Sequence, residues 1–212
     1  VAFYETYGAK SRKSKSEPPK AKHVLDKWIL SRLSFVAANM KSSMDAYDIT
    51  EAARALESFV GEDLSQWYIR RSRTRFSPNH KKELLEVSGV LRFVLENVSL
   101  MSAPFIPFLS EIIFERLGKK ESVHMASWPE LGRSFLDSKL ETQMVQLRLL
   151  VAKALALRAK AGIKVRQPLA LLKIRSPKFS RFARSGEARE IRNEILNVLK
   201  EEVNVKDVRF DK

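Results

Sequence analysis

With 212 residues, 44% of them hydrophobic and 30% charged, the chain has the length and composition of globular material able to bury its own core. Its longest apolar region, 89–114, is interrupted by Arg92, Glu96 and Asn97, which excludes a membrane span there, and the lack of any cysteine excludes disulfides and thiolate metal sites within these residues and fits a reducing cytoplasm. The net charge of +14 is partitioned into three runs: +4 over residues 1–22, +6 over 64–82 with no acid, and +11 over 142–186 with no acid. Cations gathered in this way create a directed field, and a polyanion such as a nucleic acid is the partner such a field implies.

The N-terminal VAFYETYGAK has no initiating Met, no basic n-region and no cleavage site, so it reads as the start of an excised piece of a longer chain. Residues 10–22, with KSRKSKSEPPKAK and its Pro-Pro pair, read as a mobile basic loop. Apolar residues at Leu25, Trp28, Ile29, Leu33, Val36, Ala37 and Met40 then predict an amphipathic helix over 24–46. Asp48 or Thr50 is placed to cap a second helix, which carries Ala53, Leu56, Phe59, Val60, Leu64 and Trp67 into an arginine cluster and stops before Pro78.

A third helix is predicted from His80 to about Ser102, ending at Pro104 and Pro107, with a helix resuming over 108–117. A turn-rich passage around Trp128–Pro129 leads to a long helix over 136–161, stopped by Gly162. Beyond it the texture changes: LALLKIR (169–175) and VNVKDVRF (203–210) are strand-like, with a helix near 187–199 between them. The fold class expected is therefore mainly α: a helical bundle with a small C-terminal β-α-β appendage. Its parts are a linking helix and loop (1–22), the bundle (23–135), the long helix (136–162) and an α/β junction domain (163–212).

Catalytic chemistry finds little support. The seven glycines are too scattered to cradle a phosphate, and His23, His80 and His124 stand alone, with no partner at ligand or acid–base spacing. No catalytic, cofactor or metal-binding residue is assigned to this chain.

The binding candidates lie in LSQWYIRRSRTRF (64–76). At about 100° per residue, Arg70, Arg71, Arg73 and Arg75 spread over more than half of a helix circumference, too widely to pair with one neighbouring helix. Arg71 and Arg75 share a face on this reckoning, and Trp67 lies angularly between Arg70 and Arg71. The indole either continues the core stripe or supports an unstacked base beside the guanidinium groups. In the second basic run, Lys164, Arg166 and Gln167 occupy a turn that is either a plain helix-to-strand connection or a set of phosphate contacts.

Read together, WILSRL (28–33), YDITEAARALESFV (47–60), LSQWYIRRSRTRF, MSAPFIPFLSEIIF (101–114) and SVHMASWPE (122–130) closely resemble the anticodon-binding helical domain of class I aminoacyl-tRNA synthetases for branched aliphatic amino acids. WYIRRSRTRF, IKVRQPL (163–169) and EEVNVKDV (201–208) are similar to the isoleucyl branch, whereas the Pro-rich and SVH…WPE elements look common to the isoleucyl, valyl and leucyl branches. Gln66, Thr74 and Ser77 depart from the family pattern. The resemblance implies a tRNA-binding module, monomeric and cytoplasmic, that grips the anticodon stem-loop of isoleucine tRNA. The parent would be an ATP-dependent ligase, with ATP and Mg2+ held by a catalytic domain outside these residues. Whether that parent carries a zinc module is left open. RKSKS (12–16) imitates the family's ATP-closing KMSKS loop but stands in a Lys/Ser-rich linker and is read as coincidence. The rival readings are the same domain of a valyl or leucyl enzyme, and a non-enzymatic basic scaffold binding acidic partners.

Overall fold

The computed structural model describes residues 1–8, 19–175 and 189–210. Most of the expected basic loop, and all of RKSKS, lie outside the described residues. The chain divides into two compact units, residues 1–136 and 137–212.

Among the described residues the regular elements of the first unit are all helices. Helix α1 (Ala2–Tyr7) precedes α2 (Val24–Asp45), which is capped by His23, whose Nδ1 accepts the Leu25 amide. The α2 face of Leu25, Trp28, Ile29, Leu33 and Met40 is almost entirely buried, as its spacing predicts. Tyr47, at φ +60°, turns the chain, and Asp48 accepts the Glu51 amide at 3.0 Å to cap α3 (Ile49–Ser58).

The chain beyond α3 is not a uniform α-helix. Phe59–Ile69 winds as a π-helix, Arg70–Ser72 forms a single α-turn (α4), and Arg73–Phe76 tightens into a 3-10 turn. The wider winding brings Phe59, Leu64 and Tyr68 inward together, so Tyr68 joins the core at no solvent exposure while Val60, expected in the stripe, is only half-buried. Helix α5 (Lys81–Ser102) packs against α2, α3 and α6 (Pro107–Arg116), where Pro107 occupies the first turn, the position that tolerates a missing N–H. Glu111 of α6 accepts the Ser122 hydroxyl at 3.0 Å and the Val123 amide at 2.8 Å, which fastens the SVH…WPE passage.

The second unit opens with α7 (Ser138–Lys160), capped by Asp137 on the Leu140 amide. Its buried positions, Leu140, Met144, Leu147, Val151, Ala154 and Arg158, alternate spacings of four and three and make one continuous face. Gly162, at φ +69°, ends the helix; its amide and that of Ile163 donate back to Ala159 and Arg158. Strands β1 (Leu169–Ile174) and β2 (Val205–Phe210) pair in parallel, Leu169 opposite Val205, with α8 (Arg189–Val203) as the crossover. Helix α8 reaches four residues beyond the expected Leu199 because Asn204 supplies the left-handed stop, at φ +50°. The chain is thus mainly α with a small β-α-β element at its C-terminal end.

Candidate nucleic-acid interface

Four arginines follow Trp67 in sequence, and the structure gives them different roles. Arg75 points into the bundle. Its Nη1 and Nη2 donate to Asp26 Oδ1 and Oδ2 at 2.8 and 2.7 Å, and the Tyr68 hydroxyl donates to the same Oδ1 at 2.8 Å. Asp26 and Tyr68 are fully buried and Arg75 is 8% exposed. The expectation that Arg75 shares a solvent face with Arg71 is therefore corrected. Residues 73–76 wind at about 120° each instead of 100°, which rotates Arg75 away from Arg71 and onto α2. Its guanidinium is taken up by the bundle, and Arg75 is withdrawn as an RNA contact.

Asp26 suits this role because it sits in the first turn of α2, where the helix dipole favours an anion, yet faces the core, where an anion needs a cation. Burial pulls the Arg75 pKa down, but the hydrogen bonds and charge of Asp26 outweigh it and leave the guanidinium more basic than usual. Burial, followed by the Asp26 charge, pushes the Tyr68 phenol well above its ordinary range.

An unfolded tyrosine titrates near pH 10, so above about that pH the folded protein retains a proton that the unfolded chain releases. The Tyr68 contribution is complete below the unfolded pKa and is lost as pH rises through the folded one. The melting temperature of the parent should fall more steeply between about pH 9 and about pH 11 than that of Tyr68→Phe. Parallel curves would show that Tyr68 does not carry the alkaline sensitivity.

Trp67, at 8% exposure, belongs to the core, and the Arg71 guanidinium lies 5.3 Å from its ring centroid. Of the two sequence readings, the core one describes the indole. Arg71 is half-buried over it, whereas Arg70 and Arg73 are exposed, as are Thr74, Lys81 and Lys82 on either side of the turn at Ser77–His80. Phe76 is buried, with the Phe3 ring edge-on at 5.0 Å, so the exposed cations stand on a packed base.

In the second unit, Lys164, Val165, Arg166, Gln167 and Pro168 are all exposed in the connection from α7 to β1. The Gln167 amide donates to the Lys164 carbonyl at 3.0 Å, closing a turn, and Asn204 Nδ2 donates to the Val165 carbonyl at 2.9 Å. Arg158 holds the same loop from within α7.

Sequence reasoning misses Asp26, Tyr68 and Arg158. Asp26 offers a signal, since it interrupts a face that otherwise carries Leu30, Leu33 and Ala37, and a carboxylate at a core position requires a buried donor. No such signal marks Arg158 until its neighbours in space are known. A second buried acid, Asp63, is matched by Arg32 of α2 at 2.9 Å.

Residues 26–174 match the family model of the anticodon-binding domain of tRNA ligase. Curated relatives include the isoleucine--tRNA ligase of Thermus thermophilus, 38% identical over 98% of this chain and 20% of the relative. That of Streptomyces avermitilis is 40% identical over 80% of this chain and 16% of the relative. The Clostridium tetani enzyme is 33% identical over 90% and 18% respectively. The chain thus spans about a fifth of the length of these relatives or less.

Proposed function

The chain belongs to the family of anticodon-binding domains of tRNA ligases, and we propose that it is the tRNA-binding module of an isoleucine--tRNA ligase. In this reading it grips the anticodon stem-loop of isoleucine tRNA, while a catalytic segment outside these residues joins isoleucine to that tRNA with ATP and Mg2+. It acts as a monomer in the cytoplasm. Among the described residues no helix is long and apolar enough to cross a membrane.

The observation that carries the reading is the exposed basic turn: Arg70 and Arg73 on the surface and Arg71 braced on Trp67, in a run of sequence without a single acid. Guanidinium groups present forked donors that match phosphate oxygens, and a guanidinium plane also stacks on an unstacked base. Arg70 and Arg73 are assigned to phosphates. Arg71, whose orientation is limited by the indole, is assigned to the anticodon loop itself. In the second unit Lys164 and Arg166 are assigned to phosphates and Gln167 to a polar contact beside them.

Arg70→Ala and Arg73→Ala should each leave the unfolding midpoint unchanged, because exposed cations contribute little to stability. Each should lower the slope of log affinity against log salt by about 0.7–0.9, the value for one lost phosphate contact, for every tRNA alike. Lys164→Ala combined with Arg166→Ala should lower it by about twice that. Folded variants with the parental slope would remove these residues from the interface.

A further inference from the structure

We propose that Arg158 is a positioning residue for RNA binding: it draws the carbonyls of the 163–168 loop inward and so presents Lys164, Arg166 and Gln167 outward as one preformed edge. The proposal rests on the reading of that loop as an RNA contact. Arg158 is 4% exposed on the buried face of α7. Its Nη2 donates to the Lys164 carbonyl at 2.6 Å, to the Gln167 carbonyl, and at 3.4 Å to the Val165 carbonyl.

These bonds are not those of a helix cap. A cationic side chain that merely ended α7 would satisfy the last carbonyls of the helix itself. The Arg158 bonds instead go beyond the helix end, to three carbonyls in a four-residue stretch. Gly162 already supplies the stop, with its left-handed φ and its amide returned to Ala159. A second donor converges on the same stretch from the α8–β2 turn, where Asn204 holds the Val165 carbonyl from a left-handed conformation. With the carbonyls fixed from the inside, the side chains of five consecutive residues, 164–168, are left on the outside. A loop ordered in advance does not lose that freedom on binding.

The buried position also favours arginine. A guanidinium keeps its charge when buried and offers planar, forked donors, whereas an ammonium is a more strongly hydrated point charge. Arg158 Nε and Nη1 are buried without an acceptor, and no carboxylate pairs with the side chain among the described residues. Its positive charge lies against carbonyl dipoles and adds to the field of Lys164 and Arg166 on the same loop.

The test is a set of variants of the 212-residue chain: Arg158→Met, Arg158→Lys, the pair Lys164→Ala/Arg166→Ala, and the triple combining Arg158→Met with that pair. Each is titrated with isoleucine tRNA over a range of KCl, beside a thermal melt and amide exchange at Gln167. Arg158→Met should lose about as much affinity and salt slope as the pair does. The triple should bind no worse than the pair, because residues that act as one unit are not additive. The Gln167 amide, bonded to Lys164, should exchange faster in Arg158→Met. A folded Arg158→Met that binds like the parent, or a triple whose losses add, would overturn the positioning role. Should Arg158→Met fail to fold, Arg158→Lys keeps the cation and decides the matter: a reduced slope supports the role and a parental slope refutes it. If the pair alone binds like the parent, the RNA reading of the loop fails, and with it the functional role of Arg158, whereas Gln167 exchange still reports whether Arg158 orders the loop.

Discussion

Asp26→Ala lowers stability by about 3–5 kcal/mol, the usual cost of leaving a buried charge without its partner. The substitution strands the Arg75 guanidinium, 8% exposed, together with the Tyr68 hydroxyl, which donates to the same carboxylate. Arg75→Ala should cost a similar amount by leaving the fully buried carboxylate with the phenol alone. Replacing the whole cluster, as Asp26→Leu with Arg75→Met and Tyr68→Phe, should recover most of the loss, because apolar groups of similar volume avoid the desolvation of two ions and leave no phenol without an acceptor. Equilibrium unfolding of the three variants checks this. Three equal losses would mean that the site fails through packing and not through charge. The expected recovery places Arg75 in the folding of the bundle, apart from the binding role proposed for Arg70 and Arg73.

The second large effect is at Trp67. Trp67→Ala should cost about 3–5 kcal/mol, because the indole is a core aromatic in a segment that packs against α2 and α3. It also removes the support beneath Arg71, an interaction of about 0.5–1 kcal/mol at a partly exposed site. Under conditions where the variant remains folded, affinity for tRNA should fall as Arg71 loses its fixed orientation, and Arg71→Ala added to Trp67→Ala should weaken binding little further. A thermal melt and a tRNA titration of the same preparations read both quantities. A variant as stable as the parent would contradict the core placement of the ring.

Much of the architecture is legible from local pattern. The stripe on α2, the Asp48 cap, the break of the helix between Ser102 and Pro107 and Gly162 at the end of α7 each act through nearest neighbours along the chain, and each appears where its chemistry predicts. The arginine segment is different. A single helical period misplaces its side chains, because the chain passes from π to α to 3-10 winding within 59–76, and each change rotates every residue beyond it. Only tertiary contacts select such winding, and the partner that draws Arg75 inward is 49 residues away. Arg158 is hidden in the sequence for the same reason. There it is one of eleven cations in an acid-free run, and its distinction is that it faces its own loop.

In the proposed reading Arg71, half-buried over Trp67, recognises the anticodon loop and does not merely add charge. The most direct measurement compares the affinity of Arg71→Ala for isoleucine tRNA and for the same tRNA with a swapped anticodon, each relative to the parent chain. The parent should discriminate between the two, and Arg71→Ala should lose about 1–3 kcal/mol on the isoleucine anticodon and much less on the swapped one, a magnitude taken by analogy from base readout in DNA. Equal losses on both RNAs, or a parent chain that binds them alike, would contradict it.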